Sequence, residues 1–114
     1  MGAHFKEQHM SQMIRFDERV AIVTGAGGGL GRSHALALAQ RGAVVVVNDL
    51  GGSVQGQGGD QAAAQQVVNE ITAAGGKALA NFDDIATPQG AQALVDATLK
   101  AFGRVDVLIN NAGI

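Results

Sequence analysis

Apolar residues gather in blocks along this chain rather than one at a time. Val20–Val23 is an unbroken apolar run that ends in glycines, and Ala43–Val47 is a second, closed by Asn48 and Asp49. Such runs suit strands buried on both faces. Between them, Leu30–Arg41 is rich in alanine and leucine and is followed by Gly42, the pattern of a helix and its stop. Ala64, Val67, Val68 and Ile71 recur at i, i+3, i+4 and i+7, one face of a helix that Gly75 and Gly76 terminate. "KALANFD", residues Lys77 to Asp83, reads as a weaker third strand, with Asp84 and Ile85 at its end. Thr87-Pro88 opens another helix, where proline's missing N–H costs nothing. Its buried stripe is expected to be Ala91, Leu94, Val95, Thr98, Leu99 and Phe102, with Gly103 closing it. "VDVLI" is the fourth strand and "NNAG" its exit loop.

The order β-α-β-α-β-α-β, with apolar strands and amphipathic helices, predicts an α/β fold. Its sheet is parallel, doubly wound (Rossmann) and covered on both faces. Leu50–Asp60 is expected to be a long glycine-rich loop. At 114 residues the chain is one domain at most. Residues 1–13 are expected to be a disordered leader, in part a cloning remnant, and residues 14–114 the folded unit.

Composition narrows the function. A net charge of −2 without a basic stripe excludes nucleic acid as the expected partner. The absence of cysteine excludes disulfides and thiolate chemistry. No wholly apolar run exceeds five residues, so no membrane span is expected. The N-terminus has no apolar core of a secretory signal, which makes a cytoplasmic protein the default. His4, His9 and His34 lack ligand spacing, so no metal is expected.

The chemistry concentrates where the first strand meets the first helix. Five glycines fall within Gly25–Gly31, in the pattern Thr24-Gly25-x-x-x-Gly29-x-Gly31. Gly25 permits a tight turn off the strand, Gly29 a close approach of backbone to ligand, and Gly31 close packing of the helix. The helix then aims free N–H groups and a partial positive charge at an anion such as a pyrophosphate. Leu30 is expected to offer its backbone N–H there, with its side chain in the core. Asp49 lies 18 residues past Gly31, at the end of the second strand, where an acid binds the ribose hydroxyls of NAD and repels a 2′-phosphate. Gly28 and Leu50 occupy the positions at which a basic residue would favour NADP. Asp84 is read either as an acceptor for an adenine amino group, with Ile85 against the ring, or as a helix N-terminal acid. Asn110 or Asn111 is placed to pin neighbouring strands.

The motifs "TGAGGGLG", Asp49, "DDI" and "NNAG" together resemble the short-chain dehydrogenase/reductase family, over about Phe16 to Ile114. "RFDERVAIVTGAGGGLGRSHALALAQRGAVVVVNDLGG", "GGKALANFDDI" and "AFGRVDVLINNAGI" resemble more closely one subgroup. These are the (3R)-hydroxyacyl-CoA dehydrogenase regions of peroxisomal multifunctional enzymes and their bacterial relatives. The resemblance implies NAD as cofactor and hydride transfer with a secondary alcohol or ketone, such as a 3-hydroxyacyl-CoA or a steroid. It implies a small-molecule substrate and a homo-oligomer, dimer or tetramer. It assigns Gly25, Gly29, Leu30 and Gly31 to the pyrophosphate and Asp49 to the adenosine ribose. Asp84 and Ile85 fall to adenine, and Asn111, Ala112 and Gly113 to the nicotinamide ribose. Asp84 stands where the subgroup carries serine. The family's Ser, Tyr and Lys are not found here: the chain has no tyrosine, and none of Lys6, Lys77 and Lys100 stands in a Tyr-x-x-x-Lys setting. The chain therefore reads as the cofactor-binding half of a longer enzyme, inactive alone. The competing reading is a non-catalytic dinucleotide-binding module. A third keeps the fold and changes the chemistry to an enoyl reductase or epimerase.

Overall fold

A computed structural model describes residues 15–50 and 61–111. The leader, the Gly51–Asp60 stretch, Ala112 and Gly113 lie outside the described residues. The order of elements is the expected one: β1 (Val20–Thr24), α1 (Gly29–Gln40), β2 (Val44–Asn48), α2 (Gln61–Ala73), β3 (Lys77–Asn81), α3 (Pro88–Phe102) and β4 (Val107–Ile109). The strands form a parallel sheet in the order β3-β2-β1-β4. The chain steps outward from β1 to β3 and then returns to the other side of β1. The doubly wound expectation therefore holds, and the switch point falls between β1 and β4, where open α/β sheets bind ligands at their carboxyl ends.

Strand register explains the unbroken apolar runs. Ala21, Val23, Val45 and Val47 face α1 and α2, in one core with Ala35, Leu38, Ala64, Val67, Val68 and Ile71. Ile22 and Val46 face the other way, against Leu94 of α3, with Leu79, Ile85 and Phe102 beside them. Every residue of β1 is buried, so it has no polar face to alternate with.

Three expectations need correction. The buried stripe of α3 is narrower than its spacing implies: Leu94 and Thr98 are buried, but Val95 and Leu99 are 37% and 44% exposed. Among the described residues α3 is the helix on this face, and its Leu94 packs over Ile22 and Val46. Leu108, paired with Ile22 and so facing the same way, is 61% exposed. The third strand ends at Asn81, before Asp83, Asp84 and Ile85. The Asn81 side chain accepts from the Asp83 N–H at 3.0 Å and turns the chain out of the ladder. The fourth strand begins at Val107 rather than Val105. Asp106 is engaged instead in bracketing Val20: its N–H donates to the Val20 carbonyl, and its carboxylate accepts the Val20 N–H at 2.8 Å.

Arg104 donates to both oxygens of that carboxylate, at 2.7 and 2.8 Å. These bonds, with that from the Val20 N–H, hold the Asp106 carboxyl below its ordinary range. A depressed carboxylate contributes stability that is complete above the ordinary range and is lost as pH falls through the folded-state value. Thermal unfolding followed from neutral to acid pH should therefore show a loss that is smaller in Asp106→Asn, which should also be less stable at neutrality. Ile22→Ala, at a site 1% exposed, should cost about 2–5 kcal/mol in denaturant unfolding.

Candidate functional site

The turn after β1 is shaped by its glycines, each for a different reason. Gly25 has φ 62° and Gly29 φ 56°, left-handed values that favour glycine. Around Gly29 a Cβ would meet no described residue within 4 Å. Gly31 is buried, and a Cβ there would overlap the Gly25 carbonyl oxygen and approach Asn111 Nδ2 to 2.8 Å. Helix α1 therefore presses directly on the turn.

Among the described residues no side chain caps the N-terminus of α1. Its N-cap, Gly28, is extended and offers no side-chain acceptor, whereas Thr87 caps α3 by accepting from the Gly90 N–H at 2.9 Å. The first amides of α1 have no acceptor within the helix and carry its positive end. Behind them, Arg32 forms a forked pair with Glu70 of α2, at 2.6 and 3.1 Å, which raises the Arg32 guanidinium further above its ordinary value.

Asp49 sits beside this turn. Its Oδ2 accepts the Gly27 N–H at 2.8 Å. Asp49, Asp83, Asp84 and Ile85 line one cleft of about 490 Å³ at the carboxyl edge of the sheet, with Gly25, Asn48, Leu50, Ala86 and Asn110. Three of these residues are acidic and none is basic. A larger groove of about 610 Å³, lined by Arg15, Asp17, Lys77 and others, lies at the opposite edge. It contains none of the residues singled out by motif.

The structure brings Gly25, Asp49, Asp84 and Ile85 to one cleft and puts Gly29 and Gly31 at the neighbouring helix start. Asn111 is tied to the same turn: its Nδ2 donates to the Gly25 carbonyl at 3.3 Å, and its N–H to Thr24 Oγ1 at 2.9 Å. Leu30 departs from expectation. Its side chain is 65% exposed rather than in the core, because Gly31, Ala35 and Leu38 form the inward face of α1 and Leu30 lies to one side of it. Asp84 accepts from the Ala86 N–H at 2.9 Å, and its carbonyl accepts from the Thr87 hydroxyl at 3.0 Å. It thus shapes the entry to α3 while lining the cleft, so both of its readings keep support.

Five residues complete the frame. Asn48, buried, donates to Asn81 Oδ1 at 2.7 Å and to the Asp83 carbonyl at 3.1 Å. Asp83 accepts from Asn81 Nδ2 at 2.8 Å. Thr24 Oγ1 lies 3.1 Å from Asn110 Oδ1, to which it donates. The available signal for Asn48 was a polar residue closing an all-valine strand; for Thr24 it was the first letter of the glycine motif.

Comparison with known proteins gives a consistent picture. The short chain dehydrogenase family model matches residues 19–114. The peroxisomal multifunctional enzyme type 2 of Mus musculus is 55% identical over 105 residues, which are 92% of this chain and 14% of that protein. A short chain dehydrogenase crystal structure from Mycobacterium avium is 55% identical with a TM-score of 0.76, over 86% of this chain and 34% of that one. A 7α-hydroxysteroid dehydrogenase complexed with NADH and 7-oxo glycochenodeoxycholic acid is 42% identical with a TM-score of 0.77, over 88% of this chain and 36% of that one. The chain spans about a third or less of each of these relatives. It belongs to the short-chain dehydrogenase family.

Proposed function

We propose that these residues form the NAD-binding half of a dehydrogenase that moves hydride between a secondary alcohol or ketone and a nicotinamide. The observation that carries the reading is the Asp49 carboxylate held on the glycine turn, in a cleft with no basic residue lining it. The residues fit a dinucleotide: among the described residues no side chain caps the start of α1, and none comes within 4 Å of a Cβ at Gly29. When bound, NAD would take up the hydride from the alcohol carbon. The chain's own groups bind and orient. The amides of Gly25, Gly29, Leu30 and Gly31 serve the pyrophosphate, and Asp49 the adenosine ribose. Asp84 and Ile85 serve adenine, and Asn111, Ala112 and Gly113 the nicotinamide ribose. The proton leaving the substrate hydroxyl falls to residues outside these 114, which contain no tyrosine.

The likeness to multifunctional enzymes favours a 3-hydroxyacyl-CoA thioester as substrate, and the likeness to a hydroxysteroid dehydrogenase makes a steroid the second choice. The compartment we propose is the peroxisome, which the mouse relative's name states, or the cytoplasm. Among the described residues no helix is long and apolar enough to cross a membrane. The working form we propose is a homo-oligomer, a dimer or tetramer.

Titration of NAD and NADP against the full-length protein carrying these residues tests the reading. Asp49→Ala should weaken NAD about tenfold, the effect of losing one hydrogen bond to a charged group, and should narrow the gap to NADP. Unchanged affinities would remove the role of Asp49. Purified residues 1–114 should oxidise no alcohol with NAD; turnover above a no-protein control would refute the division of labour.

A further inference from the structure

The glycine motif explains Gly25, Gly29 and Gly31, but it leaves Gly27 without a reason. Gly27 does not adopt the left-handed φ of Gly25 and Gly29, so its backbone does not demand glycine. Gly28 also lacks that φ, and a Cβ there would meet nothing within 4 Å. At Gly27 the space is taken. A Cβ would lie 2.7 Å from Asp49 Oδ2, 3.1 Å from Asp49 Cγ and 3.1 Å from the Ala63 Cβ of α2. The same residue donates its N–H to that Oδ2 at 2.8 Å.

We propose that Gly27 is a positioning residue that seats the Asp49 carboxylate and thereby sets the preference for an unphosphorylated ribose. This rests on the assignment of Asp49 to the adenosine ribose. Two effects act together. The N–H gives the carboxylate a charge-assisted bond, shorter and stronger than a neutral one. The missing Cβ lets the carboxylate come down onto the turn. A methyl group at position 27 is caught between Asp49 and Ala63, and the carboxylate, the more mobile neighbour, is the part that yields. It swings away from the turn and loses the amide. A carboxylate fixed before the ligand arrives also spares the cost of ordering it on binding, so an unseated one binds the ribose less well. Its negative charge then stands farther from a 2′-phosphate and opposes it less.

The test is cofactor titration of the full-length protein, wild type, Gly27→Ala, Asp49→Ala and the double variant. Gly27→Ala should weaken NAD about tenfold, on the scale of one hydrogen bond to a charged group. It should weaken NADP less, so that the ratio of the two affinities falls. In the Asp49→Ala background the same change should have no further effect on the ratio, since the group it acts through is gone. Without ligand, the amide proton resonance of Gly27 should shift on Asp49→Ala, as the charge-assisted bond is lost. A wild type that binds neither cofactor would sink the assignment of the site. A wild type that prefers NAD, with an unchanged ratio in Gly27→Ala or an equal fall in both backgrounds, would sink the role of Gly27 and leave the site standing. Equal melting temperatures of wild type and Gly27→Ala confirm that the comparison is made on folded protein; a lowered one moves the decision to the double-variant cycle, where a merely structural effect persists without Asp49.

Discussion

Helix α1 can begin where it does because Gly31 has no side chain to hold it off the Gly25 carbonyl. That contact sets the angle at which the helix leaves the sheet, and so the direction of its first amides. It also brings the turn within reach of Asn111 on the far side and of Asp49 on the near side. The contrast with α3 shows what is special. Both helices start at the carboxyl edge of the same parallel sheet. At α3 the end is closed by its own chain: Thr87 caps it, and Asp84 receives the Ala86 amide and the Thr87 hydroxyl. At α1 no described side chain closes the end. A helix start without a cap loses stability, and an anion at that end restores what the cap would have supplied.

The edge around this opening is held by side chains as well as by the ladder. Thr24, Asn48 and Asn81 are the last residues of β1, β2 and β3, and all three are buried. Thr24 links β1 to the loop after β4, and Asn48 links β2 to Asn81 and the Asp83 carbonyl. Among the described residues no buried side-chain nitrogen or oxygen lacks a partner. Complete networks of this kind rigidify, because removing any member strands another in a medium where an unmade bond is costly. Asn48, Asp83 and Asn110 in the cleft lining are thus braced by this network.

The fold was legible because its signals are redundant: each apolar block is bounded by glycines or by a turn residue, and the blocks alternate in length between strand and helix. What was not legible depended on neighbours. Leu30 reads as a core leucine by composition, yet its position one residue before Gly31 places it beside the inward face of α1 rather than on it. Val95 and Leu99 continue the stripe of Leu94 and Thr98, but a stripe is buried only as far as there is surface opposite it. The ends of β3 and β4 were set by Asn81 and Asp106 bonding to backbone, which no periodicity reports. The glycine turn and Asp49 could be placed by spacing. Thr24 and Asn110 were marked by the motifs that contain them, but Asn48 and Asp83, which line or brace the same cleft, could not be placed, since each acts through a neighbour that spacing does not report.

Selectivity in such a cleft follows from one group doing two opposite things. A carboxylate accepts hydrogen bonds from a ribose diol and repels a phosphate put in its place. At roughly 4 Å and an effective dielectric near 20, two unit charges interact by about 4 kcal/mol. The hydrogen bond it would make to a hydroxyl is worth about 1.5–3 kcal/mol. Repulsion is therefore at least as large a part of the discrimination as attraction, and it depends on where the charge sits. Asp83 and Asp84 line the same cleft as Asp49, with no cation among the lining residues, so the background potential already opposes a phosphate. On the proposed reading, what Asp49 adds is position, and the Gly27 amide, 2.8 Å away, is one of the contacts that hold it there.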